Sequence, residues 1–458
     1  MNKPKIAVAG ATGFVGRWLI QELKADYQII GLSRSRMIQQ DPSIEWRQID
    51  LFSVTSTQEA LKDCDYAIYL VHSMQPNARL TQGSFEDNDL IIADNFSMSC
   101  EANNIKHVVY LSGIIPSVEK LSEHLESRKE VEEVLSSRNT PVTTLRAGMV
   151  VGPDGSSFKI MENLLKRLPF LILPAWTKTP SQAVSLEKVI SSIKAVIGKE
   201  HWFNQSIDLG SGETLTYREM LKRCGAFLKL SRIFLSVPIR STSFSKLWVS
   251  IVSGTSIELT SPLIDSLTYP IIPQLDGMKE LGTYKAQPFE ELLSEALHSK
   301  KQIKLKSIKE PFVKENNVRS IQRLPALKNL SSNLIAKEYM LWLPQFFKYF
   351  IRVKVKDEIA EFKFLFITLL ELSHVNERST DDRDLFFITG GLLCKRRDHG
   401  WLEFRQVNDK KWTITAIHEF VPTLPWWIYR FTQAPVHAWV MTKFGKYLDR
   451  KFNSGNVA

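Results

Sequence analysis

The sequence predicts a doubly wound α/β domain built on a parallel sheet, followed by a separate α+β domain. Three observations predict it. Short β-branched runs alternate with helical stretches through the first half of the chain, the signature of strand–helix–strand units. At 458 residues the chain exceeds what one hydrophobic core normally supports. Beyond about residue 330 the texture changes to several strands followed by one long amphipathic helix.

In order, the expected strands of the first domain are Ile6–Ala9, Tyr27–Gly31, Ile44–Gln48, Tyr66–Val71, His107–Leu111 and Val142–Leu145. Helices are expected between them over Phe14–Lys24, Asp87–Asn103 and Glu123–Ser136. From Gly148 to about Ser299 the pattern turns irregular, with proline-bounded helices, and is read as a substrate-side subdomain. Lys300 to Asn329 is rich in Lys, Glu, Asn and Gln and reads as an interdomain connection. Strands are then expected over Phe362–Leu372, Leu385–Thr389, Trp401–Val407 and Lys411–Phe420, and a helix over Trp426–Phe452. Its expected apolar side carries Trp427, Phe431, Val436, Val440, Phe444 and Leu448. The domains are thus 1–300, a connection 301–329, and 330–458.

Composition narrows the function classes. With 44% hydrophobic and 24% charged residues, this is an ordinary globular composition. Cys64, Cys100, Cys224 and Cys394 are scattered without a CxxC pair, which suits a reducing compartment and supplies no zinc or disulfide framework. The chain reaches a strand by Val8, and no run approaches the roughly 20 apolar residues that span a bilayer, so a cytoplasmic location without a transmembrane segment is expected. The net charge of +10 is spread along the chain; its densest cluster, Lys300, Lys301, Lys304 and Lys306, lies in the connection. Nucleic acid is therefore not an expected partner.

The sharpest local signal is Gly10-Ala-Thr12-Gly13-Phe14-Val15-Gly16, directly after a strand and opening a helix. Gly10 permits the tight turn, Gly13 lets the backbone approach a pyrophosphate, and Gly16 lets helix and sheet pack closely. The phosphates then meet free backbone N–H groups at the positive end of a helix dipole. This is the fingerprint of a Rossmann-type dinucleotide site. The end of the second strand selects the cofactor. Here Gly31-Leu-Ser-Arg34-Ser-Arg36 carries no acid until Asp41. A carboxylate would repel a 2′-phosphate and a guanidinium can fork onto it, so Arg34 favours NADP, with NAD as the alternative.

With those residues in place, the first 300 or so residues resemble an atypical extended short-chain dehydrogenase/reductase, close to NmrA-like proteins, nucleoside-diphosphate-sugar epimerases and a subunit of respiratory complex I. The matching segments are the glycine turn, Asp50-Leu51, Tyr69-Leu-Val71-His72-Ser-Met74, Tyr110-Leu-Ser112-Gly113 and Leu145-Arg-Ala-Gly148. The resemblance implies that Asp50 contacts adenine and that the loops around Leu51, Val71 and His72, and after the fifth strand, line the cofactor. Active members carry a Tyr-x-x-x-Lys pair on one helix face. The corresponding stretch here is His124-Leu-Glu-Ser127-Arg128-Lys129-Glu-Val-Glu132, with His124 and Arg128 in place of that pair. Ser112 stands where such proteins place a carbonyl-polarising serine. Two readings of this departure stay open: a substitute acid pair of His124 and Arg128, or a site that has lost its proton donor.

From about Leu330 the chain resembles a bacterial domain of unknown function found after such dehydrogenase domains. The resemblance rests on Gly390-Gly391, Gly400-Trp-Leu-Glu-Phe404, Phe420-Val-Pro422, Tyr429 and Pro435-Val-His437. It implies a curved antiparallel sheet around a long C-terminal helix, as in START/SRPBCC ligand-binding proteins, with Trp412, Ile414, Trp426, Trp427 and Trp439 as candidate cavity residues. His374, His399, His418 and His437 lie on separate elements without ligand spacing, and Asp381, Asp382 and Asp384 lack the rest of a calcium loop, so no metal is expected. Three functions remain: an NADP-dependent reductase or epimerase-like enzyme acting on a lipophilic small molecule, a non-catalytic sensor or assembly factor, and a protein in peripheral contact with a membrane.

Overall fold

The alternating apolar runs of the first half fold into one parallel sheet. The computed structural model describes residues 3–72, 80–239, 241–254, 256–298, 303, 305–307, 317–327, 329–348, 350–396 and 400–453. The chain divides into two units, 1–75 with 92–308, and 76–91 with 309–458. In the first unit the strands are β1 (Lys5–Ala9), β2 (Gln28–Ser33), β3 (Ile44–Gln48), β4 (Tyr66–Tyr69), β5 (His107–Gly113), β6 (Val142–Ala147) and β7 (Ser206–Leu209). They pair in parallel in the order β7-β6-β5-β4-β1-β2-β3. The chain thus builds outward from β1 to β3, then crosses back to β4 on the other side of β1. That reversal opens a crevice over the carboxyl ends of β1 and β4.

Helices cover both faces. Helix α1 (Phe14–Leu23) buries Leu19, Ile20 and Leu23, the one face its 3.6-residue period makes apolar, in a core shared with the strands. Helix α2 (Val54–Ala60) is capped by the Ser53 hydroxyl, which accepts from the Ser56 N–H. Helix α3 (Phe85–Ala102) sets the buried Phe96 ring 4.9 Å from that of Tyr69 in β4. Helix α4 (Glu123–Leu135) starts at the capping Ser122 and buries Leu125, Val131 and Val134. At the head of β5, His107 accepts the Gly198 N–H at Nδ1 (3.1 Å), so Nε2 carries the proton facing Thr143 Oγ1 at 2.8 Å. Burial pulls this imidazole down to about 4.

Among the described residues, the region after Gly148, irregular in sequence, supplies the seventh strand and seven helices: α5 (Ser156–Arg167), α6 (Leu186–Val196), α7 (Tyr217–Phe227), α8 (Ser243–Ser253), α9 (Ile257–Ser266), α10 (Asp276–Glu280) and α11 (Phe289–His298). Helices α5, α7, α8 and α9 form a second core around Phe158, Leu165, Met220 and Ile264.

The second unit is an antiparallel sheet with a C-terminal helix, the expected α+β arrangement. Strands Ile351–Lys356, Ile359–Phe364, Ile367–His374, Arg383–Gly390, Gly400–Val407 and Trp412–Phe420 pair in chain order as a meander. Val318–Leu324, inside the stretch expected as a connection, pairs antiparallel with the last of them, and Leu80–Gln82 adds a parallel edge. Helices Ser332–Phe346 and Gln433–Leu448 cover one face through Ile335, Tyr339, Phe444 and Leu448.

Two expectations are corrected here. The run expected as one strand over Phe362–Leu372 is a hairpin that turns at Leu365 and Phe366. The single long C-terminal helix is broken at Thr432 (φ −122, ψ −78) into Trp426–Phe431 and Gln433–Leu448. Val440, Phe444 and Leu448 enter the core, whereas Trp427, Phe431, Val436 and Trp439 are exposed. Ser73, Met74, Lys300, Lys301, Lys304 and His399 lie outside the described residues.

Candidate dinucleotide and ligand site

The crevice over β1 and β4 begins with a backbone that tolerates almost nothing but glycine. Gly10 has φ +87, and a Cβ there would stand 3.0 Å from the Leu70 carbonyl oxygen. At Gly16 a Cβ would fall 2.2 Å from the Gly10 oxygen and 2.8 Å from the Ala11 Cα, so only a hydrogen lets α1 approach the strand. The Gly13 N–H closes the turn on the Gly10 oxygen at 2.9 Å. Gly13 is also the N-cap of α1, with no side-chain cap and no acid in the first turn. Thr12 and Gly13 are exposed. The first turn therefore presents uncapped amides at the positive end of the helix dipole, which suits a pyrophosphate. Phe14 packs its ring toward Gly152 and Gly155, where a Cβ would sit 3.2 and 2.9 Å from it, and Val15 is half-buried against the core. These two anchor the turn by packing.

At the adenosine end, Arg34 leaves the tip of β2 on the exposed side, beside Ser33 and Ser35, and the Ser35 N–H donates to the Ser33 hydroxyl (3.2 Å). Partial desolvation pulls the guanidinium below its ordinary value and the Asp50 carboxylate opposes that shift; arginine stays cationic throughout. Asp50 shapes its own loop, accepting the Phe52 N–H at 3.1 Å, while Asn95 donates to the Leu51 carbonyl at 2.8 Å. Leu70 is tied to Ala9 by a 3.0 Å backbone bond, so Val71 and His72 come directly beside the glycine turn, His72 exposed.

The other side of the crevice is built by β5, β6 and α4. Ser112, at the end of β5, is buried, and its hydroxyl has no hydrogen-bond partner among the described residues. Its strand neighbour across the sheet is Arg146, held by Glu132 through contacts of 3.1 and 2.6 Å. His124 and Arg128 lie one turn apart on α4, with Arg128 buried and its carbonyl accepting from the Tyr110 hydroxyl at 3.5 Å. Burial first, then the Arg128 charge and His72, press the His124 imidazole down to about 3. It is neutral at any physiological pH. Lys129 is exposed on another side of the helix.

His124 forms part of the wall of a cavity of about 180 Å³ beyond β5 and β6. The rest of the wall is predominantly apolar: Ile114 and Met149 near the sheet, Met161 and Leu164 on α5, Val249 on α8, Ile264 on α9. Its few other polar groups are largely occupied with the protein itself. Trp176 donates to Ser245 at 3.2 Å, Thr260 to Ser256 at 2.9 Å and Ser266 to Pro262 at 3.0 Å. The Tyr217 phenol is pushed up to about 12 by burial. These wall residues were not singled out in the sequence; the spacing of Ile160, Met161 and Leu164 marks only an amphipathic helix. Glycine turn, Arg34, Asp50, Ser112, His124 and Arg128 thus all belong to one unit and one end of its sheet.

Comparison with known proteins agrees with this geometry. Residues 10–167 match the NAD(P)H-binding family. A stretch of 113 residues, 24% of the chain, is 31% identical to Auxiliary protein GraX of Staphylococcus aureus, and the match covers 37% of that protein's length. Among solved structures, Citrobacter sp. triphenylmethane reductase complexed with NADP(H) is similar at 18% identity and a TM-score of 0.50, covering 64% of this chain and all 100% of the other. An epimerase from Methanothermobacter thermautotrophicus matches at 16% identity and a TM-score of 0.50, over 64% of this chain and 91% of its own. These two likenesses establish the fold. The stretch from the glycine turn through α5 is an NAD(P)-binding domain.

Proposed function

We propose that this protein binds NADP in preference to NAD, holds an apolar small molecule in the cavity beyond β5 and β6, and acts as a cofactor-dependent binding or sensing protein. The observation that carries this reading is the cavity wall. A bound nicotinamide supplies hydride chemistry; a carbonyl substrate would also need a proton delivered to its oxygen. His124, in the position of the usual tyrosine, is held neutral down to about pH 3, so it has no readily released proton to give. Loss of general acid catalysis removes about 10²–10⁴-fold in rate. Arg34, with no Asp or Glu among residues 31–40 at the tip of β2, supports NADP.

The second reading is a reductase or epimerase-like enzyme, favoured by one observation: the buried Ser112 hydroxyl stands without a partner among the described residues at the end of β5, where it would polarise a substrate oxygen with water as proton source. For the second unit, an antiparallel sheet with helices over one face supports a START/SRPBCC-like ligand-binding domain.

The test is to load purified protein with NADPH and follow nicotinamide absorbance against quinones, aldehydes and sugar nucleotides. Tight binding without oxidation, the same in His124→Ala, is the expected result. Oxidation by any of these classes that drops about 10²-fold in His124→Ala would replace the sensor reading by the enzyme one.

A further inference from the structure

The hairpin of the second unit carries large apolar side chains where a solvated turn normally carries Gly, Asn or Asp. Phe364 pairs with Ile367, leaving Leu365 and Phe366 as the turn. Phe366 is 98% exposed and Leu365 60%. Main-chain bonds continue this apex into a rim. The Leu392 and Leu393 N–H groups donate to Thr368 (2.9 Å) and Leu369 (3.0 Å), and the Thr423 N–H donates to Leu393 (3.0 Å). Two residues after Thr423, Pro425 caps the helix Trp426–Phe431. Leu392, Trp427 and Phe431 thus join the apex, Trp427 and Phe431 at 70% and 76% exposure. On the other flank Ile351 pairs with Phe364, which brings the exposed Phe350 beside the turn.

Among the described residues the rim is also predominantly basic. Residues 364–370, 391–396 and 420–432 contain no Asp or Glu. They carry Lys395, Arg396 and Arg430, all exposed, with the Arg430 guanidinium 5.9 Å from the centre of the Phe431 ring. The carboxylate of Glu361, on the strand leading into the turn, is matched by Lys363 at 2.9 Å. Exposed aromatic and aliphatic groups of this size mark an interaction site. Several features decide which. A protruding apex enters an interfacial layer more readily than a groove, aromatic rings with basic neighbours suit lipid headgroups, and the excess of positive charge opposes a two-fold contact with a second copy.

We infer that this rim docks the protein on the surface of an anionic lipid bilayer. Leu365, Phe366, Trp427 and Phe431 enter the headgroup–acyl boundary while Lys395, Arg396 and Arg430 meet lipid phosphates. The inference rests on the second unit alone and is independent of what the dinucleotide site does.

The full chain is sedimented with vesicles of phosphatidylcholine alone and of phosphatidylcholine mixed with phosphatidylglycerol. The expected result is binding to the mixed vesicles, about tenfold or more weaker to the neutral ones, and falling as salt rises. Phe366→Ser with Trp427→Ser is expected to lower the partition at least about tenfold, with melting temperature and NADPH binding as in the wild type. Should that variant melt early, Lys395→Glu with Arg396→Glu carries the test and is expected to weaken binding to anionic vesicles. No sedimentation of the wild type with anionic vesicles, or no weakening in the well-folded variant, overturns the inference. A concentration-dependent dimer abolished by the same substitutions would also overturn it, assigning the rim to a second copy.

Discussion

The glycine turn after β1 and the face of α4 near β5 lie in one unit, yet they answer to different physics. At the turn, function is written in backbone sterics. Gly16 has no space for a methyl group, and the Gly13 amide opens a helix left uncapped. On α4, function would have to be written in side-chain chemistry, and there the groups are an imidazole held neutral and a buried guanidinium. Under the proposed function the comparison separates holding a dinucleotide from using it: the turn is assigned to the first, and α4 offers a neutral imidazole where the second would call for a proton donor.

The largest expected effect breaks the complete half. Gly16→Val places atoms inside the Gly10 carbonyl and must push α1 off β1. We expect loss of measurable NADPH binding, at least about 100-fold, with destabilisation of about 2–4 kcal/mol, read by calorimetry and chemical denaturation. A variant that binds and melts like the wild type would mean that the turn holds no phosphate. Next in size is Arg34→Glu. Removing a forked charge-assisted contact and adding a like charge should shift the NADP:NAD affinity ratio toward NAD by about 10–100-fold; an unmoved ratio would detach Arg34 from the 2′-phosphate.

A smaller effect sharpens the α4 side. His107 is buried neutral with its value lowered to about 4, and His124 to about 3. A group that folding keeps uncharged favours the folded state fully above its unfolded value, about 6.5. That contribution is lost as pH falls from 6.5 toward 4, at up to about 1.4 kcal/mol per pH unit per group. Urea midpoints should therefore decline over that window, and the decline should be shallower in His124→Asn. Identical slopes would show that this imidazole titrates as if exposed.

The legibility of the sequence divides along the same line. Gly10 and Gly16 were readable because only glycine satisfies those backbone positions, and Arg34 and Asp50 because a parallel sheet places the residues just beyond each strand at the same end of the crevice. The seventh strand, Ser206–Leu209, was not, since Ser206 and Asp208 interrupt it and leave no apolar run. The hairpin at Leu365 was hidden because an uninterrupted apolar run, Phe362 to Leu372 with one lysine and one threonine before Glu371, turns without Gly, Pro or Asn; Leu365 itself takes φ 51. The C-terminal helix looked continuous because its exposed Trp427 and Phe431 imitate a core face, and surface apolar residues carry the same period as buried ones. The cavity wall escaped notice for a related reason: Met161, Leu164 and Val249 read as core until the fold shows the space they enclose.

The most direct test is isothermal titration of the wild-type protein with NADPH, NADP, NADH and NAD. The account predicts a saturable heat for the phosphorylated pair, weaker for the other two, abolished in the Gly16→Val chain. An absence of heat with all four ligands would contradict it.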